Sequence, residues 1–323
     1  MHLFCFSNAD YEIKTLKNES RVIEFVILGF PGSPTIQYFF FLLLFIIYLV
    51  TILSNFAIIA IIWVEKILHT PMYFYLRNLS LLEVCYVTVT VPKVLATITQ
   101  HGRSILFSSC IMQLFFFFLF GSIECILLGI MAFDRYLAIC YPLRYSLLMS
   151  SYVCRNLSIC SCFFGFVMTF PPAMSISQLS FCESNIINHF FCDAPPLLKL
   201  TCGNTISSDL LGFICSSITI LTSCFFILMS YFYIIKTVLK IPTARGRKKV
   251  FSTSSSHLIV IAVYYSSVMF MYVRPKLNYT VALNRVVAVF YTMITPILNP
   301  MVYCLRNKVV QEAFLKQLSL LIN

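Results

Sequence analysis

Polar and apolar positions along this chain fall into long blocks. The run 111–132 carries a single charged residue, Glu124, and a run of that length and polarity reads as a membrane-spanning helix. The same pattern predicts seven such helices, roughly 36–63, 71–98, 110–136, 152–174, 210–238, 249–273 and 284–304. Residues 1–32 form a polar leading segment, 33–304 the helical bundle and 305–323 a tail. Within the tail, 305–320 predicts a short amphipathic helix lying on the membrane, with Phe314, Leu315 and Leu318 toward lipid and Lys316 toward water. The expected fold class is therefore an all-α membrane protein, a seven-transmembrane helix bundle with a short amphipathic C-terminal helix.

Composition agrees. Hydrophobic residues make up 59% of the chain and charged residues 11%, and the mean hydropathy is +0.88. A soluble domain has no way to cover that much apolar surface. The apolar start, 1–6, is too short for a signal-peptide core, so the first helix is expected to act as the targeting signal.

Basic residues set the expected orientation. With the N-terminus outside, 14 Lys and Arg face the cytoplasm and 9 face outward, in keeping with the positive-inside rule. Only Glu65, Asp134 and Glu312 offset the inner set, which leaves a cationic face suited to anionic inner-leaflet lipid. These charges are spread over four segments at helix ends, which does not describe a nucleic-acid-binding surface. Outside, the long loop 175–209 carries Cys182, Cys192 and Cys202, and Cys110 opens the third helix on the same side. Four cysteines in an oxidising compartment imply two disulfides, with three pairings open. Asn18-Glu19-Ser20 is an N-glycosylation sequon on that side.

Five stretches carry a resemblance. Met131-Ala132-Phe133-Asp134-Arg135-Tyr136-Leu137-Ala138-Ile139-Cys140 closes the third helix. Leu68-His69-Thr70-Pro71-Met72-Tyr73-Phe74-Tyr75-Leu76 precedes the second, and Lys249-Val250-Phe251-Ser252-Thr253-Ser254-Ser255-Ser256-His257-Leu258 opens the sixth. Pro296-Ile297-Leu298-Asn299-Pro300-Met301-Val302-Tyr303 lies in the seventh, and His189-Phe190-Phe191-Cys192-Asp193 in the long loop. In this order and at these topological positions the chain resembles an olfactory receptor of the class II, tetrapod type, within the rhodopsin-like G-protein-coupled receptors. The resemblance covers the chain beyond about Glu24; the first 17 residues look longer than is usual there. It selects the pairings Cys110–Cys192 and Cys182–Cys202. It also implies activation of a heterotrimeric G protein of the stimulatory olfactory type, which raises cyclic AMP. The expected switch parts are Asp134, Arg135, Tyr136, Tyr231 or Tyr233, Lys248, Lys249, Pro300 and Tyr303, with Pro142 in the loop that meets the G protein. No cofactor is implied.

Ionisable groups within the hydrocarbon are functional candidates. Glu83, Asn55 and Asn299 fall at similar depth and are expected to satisfy one another, a knot resembling the sodium or protonation switch of rhodopsin-like receptors. Glu124 and His257 are expected to pair across the third and sixth helices. Above them, Phe117, Phe118, Gly121 and Ser122 lie on the third helix, Ser216 and Thr219 on the fifth, and Tyr265, Val268, Met269 and Tyr272 on the sixth. Tyr291 and Thr292 join them from the seventh. Together they predict an aromatic cavity with a few hydroxyls, suited to a small, mostly apolar molecule. Competing classes fare worse. Seven is an odd number of helices with no internal repeat, against a transporter. The seventh helix has no lysine for a retinal Schiff base, and no His-Glu-x-x-His or Gly-x-Ser-x-Gly motif marks an enzyme.

Overall fold

A computed structural model describes residues 22–30, 32–99, 103–182, 184–273, 281–305 and 308–322. Helices α1 (Pro34–Val64), α2 (Pro71–Ile98), α3 (Phe107–Cys140), α4 (Ser151–Ser177), α5 (Ile206–Leu239) and α6 (Ala244–Tyr272) are followed by a composite α7. That last span joins Val281–Val289 and Thr295–Leu305 through a π-helical turn, Phe290–Ile294. Pro296, just beyond the turn, has no N–H to donate back into it. The amphipathic α8 (Lys308–Ile322) completes the chain.

Among the described residues, six of these eight helices are long and apolar enough to cross a membrane. Of the other two, α8 is the tail helix, and α6 begins with a basic, Ser-rich stretch and contributes the shorter apolar segment Leu258–Tyr272. The result is a seven-helix bundle. Burial is inverted relative to a soluble protein: Phe39, Leu53, Phe56 and Trp63 of α1, Phe163 of α4 and Phe225 and Leu228 of α5 stand exposed on the outer surface. Those are the lipid-facing positions of a spanning bundle, where burial brings no hydrophobic gain. Close packing depends instead on small residues. A Cβ added at Gly165 of α4 would lie 2.7 Å from Ile123 Cγ1 of α3, so only glycine permits that crossing.

Observed helices begin and end within a few residues of the expected limits. The departure is at the N-terminal end of the bundle. Strand β1 (Glu24–Ile27) pairs antiparallel with β2 (Ser104–Leu106), Phe25 opposite Ile105, and parallel with β3 (Ile186–Ile187), Val26 opposite Ile186. Residues 24–27, expected only to belong to the polar leading segment, are thus the middle strand of a sheet. Phe25, Ile27 and Ile187 are fully buried and share a small core with Leu114, Ile176 and Leu197. Gly29, with φ of +70°, then turns the chain toward α1. At the opposite end α8 is held by Lys316, whose Nζ reaches Glu65 Oε1 at 2.9 Å, and by Gln317 Nε2 at 2.6 Å from the same oxygen.

Candidate functional site

The long loop is pinned over the bundle. Cys110 and Cys192 are joined with Cα atoms 5.5 Å apart, which ties the loop to the first turn of α3, and Cys182 joins Cys202 at 5.7 Å. Gln113 on α3 donates to Val89 O of α2 at 2.8 Å and accepts from Cys192 N at 3.0 Å. Next to the disulfide, Asp193 is fully buried and accepts from Ala194 N at 2.8 Å and from the Tyr272 hydroxyl at 3.3 Å. Tyr272 and Tyr291 share a hydrogen bond of 2.9 Å, so the loop, α6 and α7 meet at one carboxyl. Burial pushes the Asp193 carboxyl up to about 7, against the Ala194 and Tyr272 hydrogen bonds. His189 is buried between Phe190 and Phe191, and desolvation, with the Arg285 charge adding to it, pulls its imidazole down to about 3. It therefore sits neutral in an apolar wall.

Beneath the loop lies a cavity of about 770 Å³, within the usual range for small-molecule sites. Of the residues expected there, Phe118, Ser122, Ser216, Thr219 and Tyr272 line it. The others do not. Phe117 is packed among Tyr86, Phe191 and Tyr291, with ring centroids 5.0, 4.7 and 5.9 Å away. The room expected beside Gly121 is taken by Tyr264, whose hydroxyl donates to Gly121 O at 2.9 Å. Tyr265 donates to Cys125 O at 2.9 Å and Thr292 to Ala288 O at 2.6 Å, both turned into backbone. Val268 is buried and Met269 packs against the same core. The α6–α7 side is thus filled by tyrosines that find backbone partners, and the open volume shifts toward α4 and α5. Met168, Thr169, Pro172, Gly212 and Cys215 line that side, and Lys199 and Asp209 its loop-side rim. Helical spacing along one helix indicates a face, but not how far a neighbouring side chain fills the space in front of it.

At mid-bundle Asn299 donates to Glu83 Oε1 and, at 3.5 Å, to Glu124 Oε1. Glu83 and Asn299 meet as expected, but the third member is Glu124. Asn55 bonds within its own helix, to Thr51 O at 3.0 Å, because an amide one turn along a helix finds a carbonyl sooner than a neighbour. The side chains of His257, Lys248, Lys249 and Tyr303, and the whole of Asn18, lie outside the described residues. Near the end of α3, Asp134 accepts from the Tyr145 hydroxyl at 2.8 Å, and the Arg135 guanidinium rests on Met72 Sδ of α2. Tyr136 packs on Tyr233 of α5 at 5.7 Å. Pro142 is exposed, and beside it Leu143 is 97% exposed. Pro300 is buried inside α7.

Tyr145, Met72, Leu143 and Asp193 escaped the sequence reading as site residues. No signal in the sequence singled them out: Leu143 is one of several apolar residues in the loop 141–150, and only its exposure in the folded chain sets it apart.

A seven-helix bundle with a roofed cavity at one end and an Asp-Arg-Tyr triplet at the other is the architecture of a multi-pass membrane protein. A family model described as "Olfactory receptor" matches residues 44–320. Olfactory receptor 6P1 of Homo sapiens is 48% identical over 92% of this chain and 93% of its own length. Olfactory receptor 6F1 of Homo sapiens is 46% identical over 93% of this chain and 97% of its own. Olfactory receptor 6B9 of Mus musculus is 41% identical over 94% and 96%. This chain belongs to the olfactory receptor family.

Proposed function

We propose that this receptor takes a small, mostly apolar odorant into the cavity beneath the pinned loop and signals to a heterotrimeric G protein of the stimulatory olfactory type, raising cyclic AMP. In this reading residues 1–32 and the disulfide-bearing loop face outward. Residues 305–323 and the short loops at the opposite end face the cytoplasm, against anionic lipid. The observation that carries the reading is that one helix serves both ends. Phe118 and Ser122 of α3 line the cavity, and Asp134 and Arg135 lie on the same helix, 17 residues or about 25 Å further along at 1.5 Å per residue.

An odorant that fits one packing of α3, α5 and α6 better than another shifts the population toward it. The Arg135 contact with Met72 and the Tyr136–Tyr233 packing are made of side chains able to exchange partners as α5 and α6 move. Pro142 and Leu143 present an apolar contact for the G protein. Lys248, Lys249, His257, Pro300 and Tyr303 belong to the same opening. Glu83 Oε2 and Asn299 Oδ1 are buried with no hydrogen-bond partner, so Glu83, Glu124 and Asn299 offer oxygen atoms that fit a sodium ion or a shared proton. Asn18 carries the glycan.

The test is a cyclic-AMP reporter cell challenged with a panel of odorants. Arg135→Ala is expected to abolish the evoked signal while the receptor still reaches the surface. A full response from that variant overturns the assignment.

A further inference from the structure

Taking the cavity as the ligand seat, as above, the remaining question is how an apolar molecule reaches it. The roof is the least movable wall. It is the helical turn Ala194–Leu198, fixed just before by the Cys110–Cys192 disulfide and just after by Cys202, with a backbone bridge between Phe181 and Thr201. Beside it lie the three-stranded sheet and Phe190, stacked on Phe30 at 5.0 Å.

The wall between α4 and α5 is built differently. At its loop end Ser175 and Ser208 share a hydrogen bond of 2.6 Å. One turn deeper stands Gly212, about 9 Å along α5. A Cβ added there would meet nothing within 4 Å, so no side chain fills the space beside this position. Across it, α4 carries the adjacent prolines Pro171 and Pro172, which remove two rungs of its hydrogen-bond ladder and make that turn easier to bend. Gly212 and Pro172 both line the cavity, and Leu210 and Phe213, on either side of Gly212, line it as well and stand exposed.

We propose that the α4–α5 seam at Gly212 is an entrance from the bilayer, through which small neutral apolar molecules dissolved in the membrane pass directly into the cavity. Such molecules are concentrated in lipid over water by the burial of their own apolar surface, so a membrane-side opening sees them at higher concentration than the loop-side rim at Lys199 and Asp209.

Native Cys215, one turn past Gly212, is a free thiol lining the cavity and reports access. The experiment labels the full-length receptor in cell membranes with N-phenylmaleimide, neutral and membrane-soluble, or with cationic MTSET, and reads the modified peptides by mass spectrometry. A Lys199→Cys variant supplies a water-facing thiol against which each reagent is normalised. Because a cation at bilayer depth costs a few kcal/mol, normalised labelling of Cys215 is expected to be at least about tenfold faster with the maleimide. Gly212→Leu, filling that space, is expected to slow maleimide labelling of Cys215 about tenfold and leave the Lys199→Cys thiol unchanged. Equal normalised rates for the two reagents, or a Gly212→Leu receptor labelled as fast as wild type, overturn the entrance and leave a water-fed cavity. The odorant panel separates the two ideas. A silent panel with Cys215 labelled selectively by the maleimide and slowed by Gly212→Leu sinks the receptor reading alone; a responsive panel with Cys215 labelled equally by both reagents, or as fast in Gly212→Leu as in wild type, sinks the entrance alone.

Discussion

The two ends of the bundle are fastened by different kinds of interaction. At the loop end, two disulfides, a three-stranded sheet and a fully buried carboxyl shared between the loop and α6 hold the chain. At the opposite end Asp134 accepts from one tyrosine hydroxyl, Arg135 rests on a thioether, and α8 is held by side chains, through Glu65 and the buried Val310 and Ala313. Covalent and backbone-to-backbone contacts have few alternative arrangements, whereas single side-chain contacts exchange at low cost. Among the described residues, the contacts at the loop end thus leave less freedom than those at the other.

Three changes would break or sharpen that contrast. The largest effect is expected from Cys110→Ser. It opens a loop closed over a sequence separation of 82 residues, and loss of such a native bridge costs on the order of 2–5 kcal/mol. Surface expression should fall to background, which flow cytometry on a tagged receptor measures; near-normal expression would mean that the sheet alone holds the roof. Next is Tyr145→Phe. It leaves the buried Asp134 carboxyl without its hydroxyl partner, at a cost of about 1–3 kcal/mol. The cost falls on the resting arrangement, so basal cyclic AMP should rise without odorant. An unchanged baseline would show that this contact does not distinguish the two packings.

The smallest effect is a pH dependence at the fixed end. The Asp193 carboxyl titrates near 7 in the folded protein, above its ordinary value. Its contribution to stability is therefore complete below the unfolded value and is lost as the pH rises through about 7. Neutral His189 in the same loop acts in the opposite sense, losing its contribution as the pH falls through its ordinary range toward 3. The informative quantity is thus the difference between wild type and Asp193→Asn. In detergent, the thermal midpoint of the wild type should drop relative to the variant between pH 5 and 8, and parallel curves would remove Asp193 from the fastening.

Legibility followed the range of the interaction. All seven spans, and α2 to its last residue, could be read from blocks of apolar residues, because a membrane sets helix length directly. The sheet could not. Its three strands come from three distant segments of two to four residues, too short to show a period, and β1 is a strand only because β2 and β3 lie on either side of it. Seven of the twelve residues expected at the ligand seat do not line the described cavity, for a related reason. The sequence shows that Gly121 lacks a side chain, but only the packed bundle shows Tyr264 occupying the space it leaves.

What the chain by itself determined is the class of molecule: a membrane bundle of seven helices, its family, and the charged triplet at the end of α3. Those properties rest on hydropathy, charge and local motifs, each carried by residues near one another in sequence. The tertiary structure alone decided where the hollow lies, which carboxyl joins Asn299, and that Asp134 answers to Tyr145. Each of these depends on which side chain from another helix arrives first at a given volume or hydrogen-bonding group, and that competition is settled only when the helices pack.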